Sequence, residues 1–301
     1  MLSPEMASLL ALVRENPAPR PDSVIEWRAA VDQQLAGPLV DGTTEQQTGL
    51  GGRPAAIIQP SVAAPERTVL YLHGGAYEVG SIAAYRTFAS QLALSLDAAV
   101  VVLEYRLAPE HTFPAAVDDV VAAYQDLLAQ GLEPGRTLVM GDSAGGGLSV
   151  AALIAFGREN IPGPAAAVCL SPWADLTMTA DSYTRCATSD PFLDRDTLSR
   201  SAQSYLAGTD PRDALASPVF AGRELDGLAP ILIQAAAGEV LADDAATLAA
   251  NIEAAGGEVE LELWPDLTHV WHLLGPGIPE ARVAMQRATQ FVHSHCSPST
   301  L

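Results

Sequence analysis

The stretch RTLVMGDSAGGGLSVAALIAFGR, residues 136–158, decides the fold of this chain. It begins with a β-rich run, RTLVM, and ends with a run of small, helix-forming residues. Between them lies GDSAG, a G-x-S-x-G pattern that is typical of a sharp strand-to-helix turn. Such a turn lifts its serine clear of the sheet, at the positive end of the following helix. We therefore predict a strand, a strained turn that carries Ser143, and a helix.

Strands and helices alternate outward from this unit. The strand predictions are residues 67–73, 98–104, 136–140, 166–170, 230–236 and 258–264. The helix predictions are residues 113–130, 144–158, 242–255 and 279–293. This alternation predicts an α/β fold with a mostly parallel sheet covered by helices on both faces. The ligand site of such a sheet lies at the carboxyl ends of its strands.

Two regions depart from the alternation. Residues 1 to about 45 suggest one or two polar-faced helices, broken by Pro17, Pro19 and Pro21. Residues 175 to about 225 read as helices and loops interrupted by Pro191, Pro211 and Pro218. We expect one domain, residues 1–301, in which these two regions form a helical cap over the site.

A glycine-rich loop about seventy residues before Ser143 contains HGGAY, residues 73–77. An enzyme of acyl transfer needs backbone N–H groups that stabilise the negative oxygen of a tetrahedral intermediate. Glycines leave such groups open to a substrate. We predict an oxyanion hole formed by the N–H groups of Gly74, Gly75 and Ala144, and a structural role for His73 in holding the loop.

Charge and composition exclude several classes of function. The formal net charge is −20, so binding to nucleic acid or to a membrane surface is not expected. Three cysteines without CxxC spacing fit a reducing compartment, and the N-terminus does not read as a signal peptide. No metal-ligand motif and no GxGxxG turn is present. We expect a cytoplasmic protein without metal or cofactor.

Four segments together carry a resemblance to a known family: HGGAY, YRLAPEHTFPAAVDD (105–119), GDSAGGGL (141–148) and SPWADLT (171–177). In this order they resemble the hormone-sensitive-lipase group (family IV) of α/β-hydrolases, over residues 68–269. The second segment is the most family-specific, and we expect it to brace the oxyanion loop and the turn at Ser143. Within the group the chain most resembles bacterial acetyl hydrolases and monoterpene ε-lactone hydrolases. The third glycine usual in the group is Ala76 here, which should preserve the N–H donors.

The resemblance also points to the other catalytic residues. In α/β-hydrolases the nucleophile is followed by an acid and then by a histidine. His269, before Val270, matches the family's base, and His272 is the alternative. Glu239, in Glu-Val-Leu, matches the acid position, and either Asp243 or Asp244 is the alternative.

The implied activity is hydrolysis of short- to medium-chain carboxylic esters or lactones through an acyl-serine. An amidase or acyltransferase would use the same triad, and a non-catalytic ligand-binding module is a third reading. Candidate pocket walls are Tyr77, Trp173, Tyr183, Phe192 and Tyr205, each equally compatible with core packing. The expected partner is a small ester or lactone, and the expected state a monomer or homodimer.

Overall fold

The structure, a computed structural model, describes residues 2–16, 20–62 and 65–296. Two N-terminal helices, α1 (Pro4–Glu15) and α2 (Val24–Leu35), begin at serine caps. The hydroxyls of Ser3 and Ser23 accept the N–H groups of Met6 and Glu26, which would otherwise lack intrahelical partners. The expected breakers Pro17 and Pro19 lie outside the described residues.

A single eight-stranded sheet runs through the described residues, in the order β1-β2-β4-β3-β5-β6-β7-β8. Its strands are β1 (Thr43–Leu50), β2 (Arg53–Pro60), β3 (Arg67–Leu72), β4 (Ala98–Leu103), β5 (Thr137–Asp142), β6 (Ala166–Leu170), β7 (Ile231–Ala236) and β8 (Val259–Trp264). All pairs from β4 to β8 are parallel. The predicted mostly parallel sheet is therefore confirmed, and its parallel strands all end at the same edge.

The hairpin β1–β2 and the helix α3 (Ile82–Leu96) were not predicted. β1 is mostly polar and partly exposed, and β2 contains two prolines, Pro54 and Pro60. The pair nevertheless extends the sheet, because β2 bonds antiparallel to the buried strand β4. β1 is the edge strand of this pair, and its polar sequence carries a weak strand signal because it has only one bonded neighbour, while the prolines weaken the signal of β2.

Helices cover both faces of the sheet. One core packs α4 (Ala115–Ala129), α5 (Ala144–Glu159) and α8 (Ala242–Ala255) against one face. The other packs α3 and α9 (Pro279–His295) against the opposite face. Successive residues of β4 alternate between the two cores, as the period of two in a strand requires.

The segment between β6 and β7 carries α6 (Ser182–Arg185) and α7 (Arg195–Leu206), followed by two short 3-10 turns. Buried Leu198, Ala202 and Tyr205 of α7 join the core that contains α5. No helix in the described ranges is long and apolar enough to cross a bilayer.

Candidate active site

Ser143 occupies the turn between β5 and α5. Its backbone has φ 52° and ψ −121°, a strained conformation for a residue with a side chain. Four backbone hydrogen bonds hold it: its N–H donates to Leu170, and its carbonyl accepts from Gly146, Gly147 and Trp173. The strain is thus sustained by the end of β6 and by the first turn of α5.

Glycines on both sides make this turn possible. A Cβ on Gly145 would lie 1.9 Å from the carbonyl oxygen of Leu72, and one on Gly141 would lie 2.3 Å from that of Gly145. Both contacts are with backbone, which cannot swing aside as a side chain can. The G-x-S-x-G spacing is therefore required by the close approach of β3, β5 and α5.

The prediction that Gly74 donates to an oxyanion is wrong. Its N–H already donates to Asp142 Oδ1 at 2.9 Å, inside the protein. Within the described residues the structure gives no acceptor to the N–H groups of Gly75, Ala76 and Ala144. Ala76, at φ 54°, stands where the family's third glycine would be. The open donors of the loop lie one residue later than we expected.

Asp142 anchors the glycine loop to the turn. Besides Gly74 it accepts hydrogen bonds from the hydroxyls of Tyr71 at 2.7 Å and Tyr85 at 2.9 Å. Burial raises the pKa of this carboxyl, and these hydrogen bonds oppose the rise. The carboxylate therefore joins the loop to β3 and α3, which agrees with a structural role.

His73 and the YRLAPEH segment brace the same loop. The His73 ring bonds to the Gly74 carbonyl at 2.8 Å and stacks on Tyr105. The Tyr105 hydroxyl donates to the His73 carbonyl at 2.6 Å, and the Ala108 N–H donates to Tyr77. Burial lowers the pKa of His73 to about 4, so this ring stays neutral near pH 7 and holds the loop.

His269 is paired with Glu239. Among the described residues this is the one histidine–carboxylate pair whose carboxylate is buried. His269 Nδ1 lies 2.9 Å from Glu239 Oε2, whose side chain is fully buried. Burial by itself lowers the pKa of His269, but the hydrogen bond and charge of Glu239, with smaller effects of Asp190 and Asp142, raise it above 6.5 overall. The ring therefore accepts a proton readily.

The alternative base and acids are engaged elsewhere. His272 is buried with Nε2 3.1 Å from Gln234 Oε1, and burial lowers its pKa to about 3. Asp243 accepts the Ser182 N–H and pairs with Arg185. Asp244 accepts the N–H groups of Ala174 and Asp175. Among the candidate acids, Glu239 is the one that is hydrogen-bonded to His269.

Asp190 is a residue of the site that sequence reasoning missed. Its Oδ1 accepts from Phe192 and Leu193, and its Oδ2 accepts from Val240, the residue after Glu239. It is 8% exposed. An Asp followed by proline signals a turn, but no local pattern indicates that this turn closes onto the Glu239 loop.

The candidate pocket residues separate into two groups. Tyr77, Trp173, Tyr183 and Tyr205 are buried members of one core, and Tyr77 stacks on Tyr205 at 3.8 Å between ring centres. Phe192 is 42% exposed. A cavity of about 780 Å³ lies elsewhere, between α3 and α9, and none of these five residues nor Ser143 lines it.

Comparison with known proteins agrees with this geometry. Residues 69–273 match the family described as the alpha/beta hydrolase fold. The chain is 45% identical to an acetyl-hydrolase of Streptomyces hygroscopicus over 98% of both chains. It is 31% identical to an esterase of Acinetobacter venetianus over 77% of this chain and 76% of that one. A crystal structure of an esterase from the bacterial hormone-sensitive lipase family superposes with a TM-score of 0.93, at 41% identity over 99% of this chain and 100% of the other.

The acetyl-hydrolase and the crystal structure match over 98% and 99% of this chain, and the family match runs from the strand before the glycine loop to beyond His269. The chain therefore belongs to the α/β-hydrolase family, in its hormone-sensitive-lipase-like branch.

Proposed function

We propose that this protein is a serine hydrolase of carboxylic esters, with Ser143 as nucleophile, His269 as base and Glu239 as acid. The observation that carries the proposal is the hydrogen bond between His269 Nδ1 and the buried Glu239 carboxylate. It fixes the tautomer that leaves Nε2 free to accept a proton, and it stabilises the imidazolium that forms afterwards. The names of the relatives, acetyl-hydrolase and esterase, support the same reaction class.

In the proposed reaction His269 Nε2 takes the proton of Ser143 Oγ as that oxygen attacks the ester carbonyl. The carbonyl oxygen becomes an anion held by the N–H groups of Gly75, Ala76 and Ala144. The intermediate collapses, the C–O bond breaks, and the alcohol leaves with the proton from His269. A water molecule, deprotonated by His269, then releases the acid from the acyl-serine.

The substrates we propose are short- to medium-chain esters or lactones. A lactone would give a single hydroxy acid, because its alcohol and acid remain joined. The N-terminal helices and the segment with α6 and α7 are proposed as a cap that closes the acyl site. Of the candidate pocket residues, Phe192 on that segment is the one whose ring is exposed. A cytoplasmic monomer or homodimer, without nucleic-acid or membrane partners, is the proposed setting.

The first experiment compares hydrolysis of p-nitrophenyl acetate, butyrate and decanoate by the wild type and by Ser143→Ala, in EDTA. We expect turnover that decreases with chain length and drops at least about 10⁴-fold in the variant, because the nucleophile is lost. If Ser143→Ala hydrolyses these esters at the wild-type rate, the assignment of the nucleophile is refuted. Turnover of a p-nitroanilide but of no ester would favour an amidase.

A further inference from the structure

Glu78, in the glycine loop, is a buried carboxylate with an unusual partner. Its side chain is 3% exposed and its Oε2 lies 2.9 Å from Arg20, which belongs to the N-terminal region 58 positions earlier in the chain. The Arg20 side chain is itself only 12% exposed. A buried ion pair is a weak source of stability, because the desolvation of both charges offsets their attraction. The burial of this pair therefore points to a role other than stability.

The backbone of Glu78 controls the orientation of a proposed oxyanion donor. The N–H groups of Glu78 and Val79 both donate to the Gly75 carbonyl at 3.0 Å. The Gly75 carbonyl and the Ala76 N–H belong to one planar peptide unit, in which they point in opposite directions. Fixing the carbonyl toward Glu78 therefore turns the Ala76 N–H away from it, and leaves that N–H open to a ligand.

Two arginines of the N-terminal region hold Glu78. Arg20 pairs with its carboxylate, and Arg28 Nε donates to its carbonyl at 2.8 Å. Arg28 also bonds to the Ala108 carbonyl and pairs with Glu110, both in the YRLAPEH segment. The N-terminal region is thus bonded to the chain at Glu78, the residue whose N–H orients the Gly75–Ala76 peptide.

Arg20 also connects the loop to α7. Its NH1 donates to Ser201 Oγ at 2.9 Å, and its guanidinium lies 4.2 Å from the centre of the Trp27 ring. A planar guanidinium can serve several partners at once, since its five N–H donors point in fixed directions. One side chain therefore joins α2, α7 and the glycine loop.

We propose that Arg20 is a positioning residue for the oxyanion hole, acting through Glu78 on the Gly75–Ala76 peptide. The proposal rests on the proposed esterase function. Without Arg20 the buried carboxylate loses its counter-charge and moves toward water, which rotates the donor peptide. A negative charge left close to the loop would also oppose the oxyanion that develops there.

The test compares Arg20→Met, Glu78→Gln and the double variant, with Arg158→Met as the matched control. Arg158 also pairs with a glutamate, Glu224, but both side chains are about two-fifths exposed and lie apart from the loop. The readouts are kcat and KM for p-nitrophenyl acetate and the Ki of a trifluoromethyl ketone. Ser143 adds to this ketone, His269 takes the serine proton, and the resulting alkoxide needs the oxyanion donors.

For Arg20→Met we expect kcat to fall about tenfold and Ki to rise about tenfold. KM should stay within about threefold of the wild type, because a misplaced donor affects the transition state more than the ground state. Removing the charge of Glu78 in the double variant should restore kcat and Ki to within about threefold of the wild type. Arg158→Met should match the wild type.

Wild-type kcat and Ki in folded Arg20→Met would overturn the proposal. So would a double variant as impaired as Arg20→Met, since Arg20 would then act by a route other than Glu78. If Arg20→Met does not fold, Arg20→Gln, which also removes the counter-charge of Glu78, takes its place, and wild-type kcat and Ki in that variant would refute the proposal. A failure of the proposed esterase function is distinguished from this outcome, because Ser143→Ala would then hydrolyse the esters at the wild-type rate.

Discussion

At the scale of single residues, the proposed base, His269, is surrounded by negative charge. Glu239 bonds to His269 directly, while Asp190 and Asp142 act on it through space, and all three raise the pKa of the imidazole against the effect of burial. A base with a higher pKa binds the serine proton more strongly, but it is inactivated by protonation at a higher pH. Asp190 therefore influences the pH dependence of the reaction without contacting His269.

Replacing Asp190 by asparagine should move the acid limb of the kcat/KM–pH profile to lower pH. In the proposed mechanism neutral His269 is the active form, so kcat/KM should decrease as pH falls through its pKa, and loss of the Asp190 charge should lower that pKa. The measurement is the midpoint of the acid limb with p-nitrophenyl acetate. Asp210→Asn, which makes the same charge change in an exposed turn, should leave the midpoint in place. An unchanged midpoint in Asp190→Asn would contradict this account.

At the scale of elements, the β5–turn–α5 unit is limited by how closely β3 approaches it. Gly145→Ala should destabilise the protein by about 3 kcal/mol or more, because its methyl group would lie 1.9 Å from a backbone carbonyl that cannot move alone. The free energy of unfolding in urea, or the soluble yield if the variant does not fold, measures this.

Gly157→Ala, on the same helix, is the matched control. A Cβ there meets nothing within 4 Å, so we expect stabilisation of about 0.5–1 kcal/mol from helix propensity alone. If the two variants had similar free energies of unfolding, close packing would not explain the glycine at position 145.

The segment with α6 also holds the loop that carries Glu239, the proposed acid. The Ser182 hydroxyl donates to the Val240 carbonyl at 2.6 Å, that of Ser189 donates to the Gly238 carbonyl at 2.8 Å, and Asp190 accepts the Val240 N–H. The loop that carries Glu239 is thus bonded along its length to the segment between β6 and β7. We therefore expect changes in the proposed cap to affect the proposed triad as well as the substrate pocket.

At the scale of the whole molecule, buried neutral histidines make stability depend on pH. His272 has a pKa of about 3 in the folded protein, lowered by burial, whereas an unfolded histidine binds a proton near pH 6.5. Between these two values the unfolded chain holds the extra proton, so acidification favours unfolding. His73, with a pKa of about 4, acts in the same direction.

His272→Gln should reduce this dependence. As pH falls from about 6 to about 4, the stability of the wild type relative to the variant should decrease by about 1.4 kcal/mol per pH unit. Urea denaturation at several pH values gives the two curves, with the exposed His111→Gln as control. Parallel curves for the wild type and His272→Gln would contradict the assignment of a neutral buried ring.

The sequence by itself determined the parallel part of the sheet and the turn at Ser143. Both depend on a local pattern, because a buried parallel strand must be apolar on both faces and a strained turn between close backbones must be glycine-rich. Glu239 and His269 were favoured as acid and base by the resemblance to the family. The polar edge hairpin β1–β2 left a weaker local signal, since only its partner β4 makes it a strand. The hairpin was not predicted for that reason, whereas α3 was not predicted although its apolar residues have helical spacing.

Only the tertiary structure decided which N–H groups of the glycine loop are open. The sequence shows adjacent glycines. The N–H group of Gly74, however, donates to Asp142, 68 residues later, and the N–H groups left open are those of Gly75 and Ala76. Likewise Asp190 and Arg20 reach the site from regions with no recognisable motif. Contacts between distant segments depend on how the elements pack, and no local spacing of residues encodes them.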